Sequence, residues 1–425
     1  MIALLIAATA IPQMLHQVDA HHVEKTVRAL VSFGTRNTLS AQDDPKRGIG
    51  AARDWIYQQF QDIAKTSDGR MTVELQTFEA QPANRIPKPT NLTNVVATLR
   101  GTEDPERIYV VSGHYDSMCS SPTDAECDAP GADDDASGVA AVLESARVMA
   151  PHQFNATIVF MAVAGEEQGL VGSTYFAKQA KEKNWNIDAM FTNDIVGNGS
   201  DTLRVFAESA QVQPAAGGEN DGPSRQLARS IVETATKYLP NFHVKMIYRR
   251  DRYLRGGDHI PFIDQGYPAI RFTEMNENYH HQHQNVRVEN GEQYGDLPEF
   301  DTWPYIANVA RVNTAALATL ALAPARPKDV RLLTTRLTND TDLEWAPNTE
   351  PDFDHYEVVW RDTIAPVWTH SKAIGKDPKY TAPNMSKDNW LFGVRAVGKD
   401  GAKSPVSFPT PLRRQQPAAT TPPPG

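Results

Sequence analysis

Histidine and carboxylate side chains follow several apolar runs of this chain, where they could form a hydrolytic metal site. His114 and Asp116 follow one run, Glu166 and Glu167 follow another, and Asp194 follows a third. In α/β folds the ends of neighbouring strands gather ligands at one edge of the sheet. Imidazoles and carboxylates are ligands that zinc accepts, so these residues predict a metal site where the strand ends converge.

Two of the clusters have a second explanation when each is taken alone. Asp116 could hydrogen-bond the His114 imidazole and fix its tautomer, or the two residues could be an ordinary surface pair. The run of Asp133, Asp134 and Asp135 crowds three negative charges together, which favours a cation or a helix N-terminus beside them. A solvated acidic loop is the alternative for this run.

The glutamate pair and a later histidine-rich loop complete the set. Neighbouring side chains at a strand end point in different directions, so one glutamate could bind a metal while the other acts as general base. The exposed start of a helix is the alternative. The loop contributes His280, His281 and His283, and it could also be a solvated surface. Together the clusters could hold two zinc ions about 3.5–4 Å apart with a bridging hydroxide.

Strands and helices alternate along the part of the chain that carries these clusters. Two runs, RIYVVSGHYD and TIVFMAVAGEE, are continuously apolar, as in strands buried on both faces. The segment AARDWIYQQFQDIA has apolar residues at helical spacing, and a long helix is predicted over TWPYIANVARVNTAALATLALA. The pattern predicts an α/β fold with a mixed, largely parallel central sheet sandwiched by helices.

At 425 residues the chain is too long for one ordinary domain. We expect a signal-like apolar segment over 1–20, an α/β domain over 21–322, a small all-β sandwich over 323–411 and a disordered tail over 412–425. The N-terminal run MIALLIAATA resembles the apolar region of a secretory signal peptide, although no Lys or Arg precedes it. This predicts a secreted or periplasmic protein, and a short apolar helix start is the alternative.

Net charge, apolar run length and cysteine content bear on which partners the protein could bind and in which compartment it could work. A net charge of −10 argues against a nucleic-acid partner. The N-terminal run is too short to span a bilayer, and no other stretch predicts an integral membrane segment. Cys119 and Cys127 stand eight positions apart in a polar loop. A disulfide between them would suit an exported protein, and two unpaired thiols are the alternative.

The chain resembles the M28 family of zinc metallopeptidases, the group of bacterial leucyl aminopeptidases. The motifs that carry the resemblance are GHYDS, PGADDDASG, AGEEQGLVGS, the ND at 193–194 and the histidine-rich loop, and it covers residues 20 to 322. It implies two Zn²⁺ ions, a peptide or protein substrate and release of N-terminal residues, and we expect a monomer. The alternatives are a carboxypeptidase or glutaminyl cyclase with the same fold, or a non-catalytic binding protein.

The resemblance also implies a role for each site residue. The implied ligands of the two zinc ions are His114, Asp134, Glu167, Asp194 and His281. Asp134 would bridge the two ions, because the family places this carboxylate immediately before an Asp-x-Ser-Gly motif. Glu166 would be the general base, and Asp116 would orient His114.

The last histidine ligand is the least defined of these residues. In the family this histidine is commonly followed four positions later by Asp and then Thr. Asn285 stands four positions after His281, which makes His281 the predicted ligand, with His283 second and His280 third.

Two further segments have family counterparts. Residues 327–411 resemble a fibronectin type III module through DLEWAP, HYEVVWR and NWLFGVRAVGKDGAKSP, and such modules usually bind or space. Tyr248 and Tyr253 lie in the region where some M28 members carry a tyrosine that assists the tetrahedral intermediate, and Arg255 is another candidate for electrostatic help.

Overall fold

The computed structural model describes residues 2–208 and 221–412, with side chains from residue 10 onward. The tail predicted to be disordered, 412–425, lies outside the described residues apart from Leu412. The described residues form an α/β unit and a C-terminal β unit, and each has its own hydrophobic core.

A mixed eight-stranded sheet forms the centre of the α/β unit. Its strands are β1 (Met71–Ala80), β2 (Thr90–Leu99), β3 (Asp104–His114), β4 (Ala156–Val163), β5 (Asn186–Asn193), β6 (Thr202–Phe206), β7 (His243–Ile247) and β8 (Ala269–Glu274). In space they follow the order β1-β2-β4-β3-β5-β8-β6-β7. The four neighbours β4, β3, β5 and β8 run parallel, so their carboxyl ends meet at one edge. The predicted mixed, largely parallel sheet is confirmed.

Helices cover both faces of this sheet, as predicted. They are α1 (Ile2–Gln17), α2 (Ala20–Val31), α3 (Ile49–Ala64), α4 (Gly138–Met149), α5 (Val171–Glu182), α6 (Pro223–Tyr238), α7 (His259–Asp264) and α8 (Trp303–Leu322). Successive residues of β3 face opposite layers: Val110 packs with residues of α5 and α7, and Val111 with residues of α4 and α8. This two-sided burial explains why the strand reads as a continuous apolar run.

The second half of the signal-like segment belongs to the core. Ile11, Met14 and Leu15 are buried in the same cluster as residues of α8. The Arg311 guanidinium on α8 donates to the carbonyl oxygens of Leu15, at 3.2 Å, and Val18, at 2.8 Å. Among the described residues no helix is both long and apolar enough to cross a membrane.

The C-terminal unit consists of two small sheets, which confirms the predicted all-β segment. Its strands are β11 (Lys328–Leu332), β12 (Thr341–Ala346), β13 (Phe353–Asp362), β14 (His370–Ala373), β15 (Lys379–Ala382), β16 (Trp390–Gly398) and β17 (Thr410–Pro411). The sheet β15-β12-β11-β17 and the sheet β14-β13-β16 share a core that contains Trp345 and Tyr356. A separate hairpin, β9 (Arg287–Glu289) and β10 (Glu292–Tyr294), follows the histidine-rich loop.

Candidate metal centre

The carboxyl ends of the central parallel strands bring a first group of ligand atoms together. His114 is the last residue of β3, Asp194 directly follows β5, and Asp134 lies in the turn that leads into α4. The His114 Nε2 atom is 3.1 Å from Asp134 Oδ1 and 3.9 Å from Asp194 Oδ1. All three side chains are buried, so their charges interact in a medium of low dielectric constant.

A second group of ligand atoms shares Asp134 with the first. Glu167 lies beyond the end of β4, and His283 comes from the histidine-rich loop after β8. The His283 Nε2 atom is 3.0 Å from Asp134 Oδ2 and 3.1 Å from Glu167 Oε1. In each group the three ligand atoms lie within 4.8 Å of one another. One carboxylate with an oxygen in each group is the arrangement of a two-metal site.

The structure places His283 in this site and not His281, the histidine that the sequence favoured. The His281 ring stacks on Phe300, with 3.6 Å between ring centroids, and its Nε2 is 3.3 Å from the Asn278 side-chain nitrogen. His280 binds Glu292, with 2.7 Å between Nδ1 and Oε1. A backbone turn closed by Asn278 comes before His283, whose φ of 54° then redirects the chain.

The donor atoms fit metal ions. His114 Nε2 and Glu167 Oε1 are buried, and although each lies 3.1 Å from an atom of the opposite charge, neither makes a well-aligned hydrogen bond within the described residues. This state is costly unless a cation satisfies both atoms. Burial alone would lower the pKa of His114, but Asp116, Asp134 and Asp194 raise that pKa well above its usual value. Two imidazoles and three carboxylates form a donor set that suits zinc.

Asp116 fixes the backbone that carries the two glutamates. Its Oδ1 accepts the backbone N–H of Glu166 at 3.2 Å, and its Oδ2 accepts that of Glu167 at 3.1 Å. The Thr38 hydroxyl donates to the same Oδ2 at 3.1 Å. The His114 Nδ1 atom is 3.1 Å from the Asp116 backbone oxygen and 3.5 Å from its carboxylate. Asp116 therefore positions both His114 and the glutamate pair.

Glu166 has the properties of a proton-transfer group. Among the described residues, its carboxylate makes no ion pair or hydrogen bond, and its side chain is half-buried beside the metal ligands. Burial raises the pKa of Glu166 well above its usual value, and the charges of Asp194 and Glu167 add to this rise. A carboxylate that binds protons more readily than usual can exchange one with a reacting water.

Two acidic residues that sequence reasoning left without a role support the turn that carries Asp134. The Asp296 carboxylate accepts the backbone N–H groups of Asp133, at 2.9 Å, and Asp134, at 2.8 Å. The Asp135 carboxylate accepts the N–H of His114 at 2.9 Å and that of Gly138 at 3.0 Å. These bonds join the turn to β3 and α4. For Asp135 the adjacency to Asp134 was a signal, whereas nothing near Asp296 in the sequence points to the site.

Arg271 is a further residue that the sequence did not reveal. This fully buried residue of β8 lies with its Nη2 atom 2.7 Å from Asp194 Oδ1. Burial alone would raise the pKa of Asp194, but the charge of Arg271 lowers that pKa to about 2. The contact keeps Asp194 ionised, which is the state that binds a cation.

The remaining candidates have contacts of other kinds. The Tyr248 hydroxyl donates to Pro366 of the C-terminal unit at 2.9 Å, and Tyr253 is exposed with the Arg249 guanidinium over its ring. Arg255 donates to the Gln282 side chain at 2.9 Å. Cys119 and Cys127, for which the sequence left two alternatives, are joined in a disulfide.

Comparison with known proteins agrees with this fold. Residues 94–297 match the model of peptidase family M28. A probable zinc metalloprotease of Pyrenophora teres f. teres is 48% identical over 417 residues, which cover 94% of this chain and 86% of the relative. The LapA aminopeptidase structure of Legionella pneumophila has a TM-score of 0.54 and 19% identity over 73% of each chain. A glutaminyl cyclase structure of Fimbriiglobus ruber has a TM-score of 0.52 and 17% identity over 71% of this chain and 95% of its own.

The two structural likenesses show a shared fold, while the relative from Pyrenophora is similar along nearly the whole chain. Together with the buried histidine and carboxylate groups, this similarity identifies the chain as a zinc metallopeptidase that belongs to peptidase family M28.

Proposed function

We propose that this chain is an aminopeptidase that uses two zinc ions to release N-terminal residues from peptides. The observation that carries the proposal is the pair of ligand groups that share Asp134. His114, Asp134 and Asp194 would hold one ion, and Asp134, Glu167 and His283 would hold the other. When bound, the two ions would polarise the peptide carbonyl and lower the pKa of the attacking water.

The residues of this chain supply the proton transfers. Glu166 accepts a proton from the attacking water and passes it to the amine that leaves. This role accounts for the raised pKa of the Glu166 carboxylate, which lies beside the metal ligands. Asp116 holds the backbone of Glu166 and so fixes where its carboxylate can reach. Arg271 keeps Asp194 ionised as a ligand.

The choice of an aminopeptidase rests on the relatives with this fold. LapA of Legionella pneumophila carries that activity in its name, and so does a structure from Aneurinibacillus with a TM-score of 0.53. Glutaminyl cyclisation is the second candidate, because the cyclase of Fimbriiglobus ruber shares the same fold. The two reactions differ in the substrate, so assays can separate them.

The direct test compares three substrate classes with and without metal. We expect turnover of aminoacyl p-nitroanilides, none of N-blocked peptides, and no cyclisation of peptides that begin with glutamine. Chelation should abolish this turnover, and zinc should restore it. Activity that persists through prolonged chelation would contradict the metal mechanism, and cleavage of N-blocked peptides would contradict the aminopeptidase assignment.

We also propose that the protein is exported and that its C-terminal β unit is a fibronectin type III-like spacer. The Cys119–Cys127 disulfide supports export, because disulfides persist in oxidising compartments. Fractionation of the producing cells tests the first proposal, and recovery of the protein only from the cytosol would contradict it.

A further inference from the structure

We propose that the loop closed by the Cys119–Cys127 disulfide positions His283 and thereby determines how tightly the second metal ion is held. Ser120 on this loop and Asn285 on the histidine-rich loop make the connection. This inference rests on the two-zinc site proposed above. It assigns the affinity for the second ion in part to residues that are not themselves ligands.

His283 needs outside support because its backbone is strained. Its φ of 54° lies in the left-handed region, which residues with a Cβ atom adopt at a cost. Such a conformation persists only where the surrounding structure holds it, and it is frequent at functional sites. The His283 side chain is 31% exposed, so the hydrophobic core does not enclose it.

Hydrogen bonds to other segments hold the chain on both sides of His283. On its N-terminal side, the Gln282 side chain accepts from Arg255 at 2.9 Å and donates to Glu277 at 3.3 Å. On its C-terminal side, the Ser120 N–H donates to Asn285 Oδ1 at 3.1 Å, and the Asn285 N–H donates to Ser120 Oγ at 3.0 Å. This reciprocal pair fixes both the distance and the orientation of the backbone two residues beyond His283.

The disulfide loop is itself attached to the segment that carries Glu167. The Pro122 carbonyl accepts from the Gln168 side chain at 2.9 Å and from the Asn37 side chain at 3.1 Å. Gln168 directly follows Glu167, so one short loop contacts the neighbours of both unshared ligands of the second metal. Closure by the disulfide reduces the number of conformations that the loop can adopt.

The unshared ligands of the first metal are attached differently. His114 ends β3 and Asp194 follows β5, and these strands pair in the central sheet. Loosening the disulfide loop should therefore weaken the second metal site and spare the first. This asymmetry separates a positioning role from general destabilisation, which would affect both sites.

The test measures zinc retention rather than turnover. Asn285→Leu removes the acceptor of the Ser120 N–H, and the double variant Cys119→Ser, Cys127→Ser opens the loop. Each variant is loaded with zinc and titrated with a competing chelator, and metal content is read after each step. We expect one equivalent of zinc to leave at about tenfold lower chelator concentration, as the loss of a hydrogen bond predicts, and the other to leave as in the wild type.

Two further variants serve as controls. Asn285→Asp keeps an oxygen acceptor for the Ser120 N–H, so it should retain zinc as the wild type does. Thr123→Ala alters the same loop at a hydroxyl whose one described contact is Ser121, at 3.4 Å, and it should also retain both ions.

The outcomes distinguish failure of this inference from failure of the proposed two-zinc function. Wild-type retention of both ions by Asn285→Leu and by the cysteine double variant would overturn this inference and leave the proposed function intact. Equal weakening of both ions would also overturn it. A wild-type protein that binds fewer than two zinc ions would overturn the proposed function, and this inference with it.

Discussion

Glu166 and Glu167 are neighbours in the chain but contribute to the site in different ways. The two carboxylate oxygens of Asp116 accept the backbone N–H groups of the two glutamates, so the backbone is held in place at both residues. The Glu167 carboxylate then meets His283, whereas the Glu166 carboxylate has no ion pair among the described residues. The division between ligand and proton-transfer group follows from this fixed backbone.

Glu166→Gln should separate the chemical step from metal binding. The amide has a similar shape but cannot accept a proton, so kcat should fall by roughly 10²–10⁴-fold. Zinc content should remain that of the wild type, because Glu166 is not among the proposed ligands. Steady-state kinetics together with metal analysis provide the measurement. Near-normal turnover by this variant would contradict the assigned role.

Replacement of single histidines in the loop should distinguish His283 from His281. His283→Ala removes a nitrogen atom that lies about 3 Å from two carboxylates. Loss of a residue that only hydrogen-bonds a metal ligand typically lowers metal affinity by roughly 10–100-fold, so loss of the ligand itself should lower zinc affinity by more. His281→Ala is the matched control, since it removes a ring that stacks on Phe300 and contacts the Asn278 side chain but belongs to neither ligand group. Zinc loss from the His281 variant alone would reverse the assignment.

The residues of the site differ in how far the sequence could predict them. His114 and Asp194 stand at strand ends, and the structure brings them together because β3 and β5 are parallel neighbours. The choice among the loop histidines could not be predicted, because it depends on the backbone angle at His283. Arg271 was not predicted because it lies within an apolar strand, and nothing in the neighbouring sequence indicates that it pairs with Asp194.

The parallel strands β4, β3, β5 and β8 carry the site, and they were predictable from their apolar runs. The strands β6 and β7, which complete the sheet beyond β8, were not predicted. Each has five residues and mixes apolar with charged side chains, as in TLRVF and HVKMI, so neither run is long or regular enough to indicate a strand. β6 pairs with β8 and β7 pairs with β6, and both pairings join segments that are distant in sequence.

The helix α7 should make the fold sensitive to acid through His259. This residue is fully buried, its Nε2 lies 2.7 Å from the Arg250 carbonyl oxygen, and burial lowers its pKa to about 4. The unfolded chain binds a proton near pH 6.5, and the folded protein does so only near pH 4. The free energy of unfolding should therefore fall as pH drops through this window, by roughly 2 kcal/mol at pH 5.

The variant His259→Gln removes this titration and can still donate to the Arg250 carbonyl. Urea unfolding of the metal-free proteins at pH 7 and pH 5 provides the comparison, because it excludes acid release of zinc. The variant should lose roughly 2 kcal/mol less stability than the wild type between these pH values. An equal loss in both proteins would show that His259 does not titrate differently on folding.

Buried charges join the C-terminal β unit to the α/β unit. Asp221 Oδ2 accepts from Arg229 Nη1 at 2.8 Å and from Arg361 Nη2, on the β unit, at 2.9 Å. Trp368 of the β unit donates to Gln226 on α6 at 3.2 Å. The sequence predicted separate units over 21–322 and 323–411, but these contacts could not be predicted, because they join residues about 140 positions apart.

The two arginines at this contact depend on Asp221 for their neutralisation. Burial and the charge of Arg229 lower the pKa of Arg361. Among the described residues, Asp221 is the one carboxylate that forms an ion pair with Arg229 or Arg361. Asp221→Asn would remove this anion from beside two buried cations, which should lower the free energy of unfolding by about 3–5 kcal/mol. Arg361→Met keeps the pair of Asp221 and Arg229 but removes the Arg361 hydrogen bonds to Asp221, at 2.9 Å, and to the Ala365 carbonyl oxygen, at 2.6 Å. It should cost less than the Asp221 variant, about 1.5–3 kcal/mol, because it leaves no buried charge unpaired. Denaturant unfolding followed by tryptophan fluorescence measures both, with Lys65→Ala at an exposed ion pair as the control. An Asp221 variant no less stable than the Arg361 variant would contradict a charge-based contact between the units.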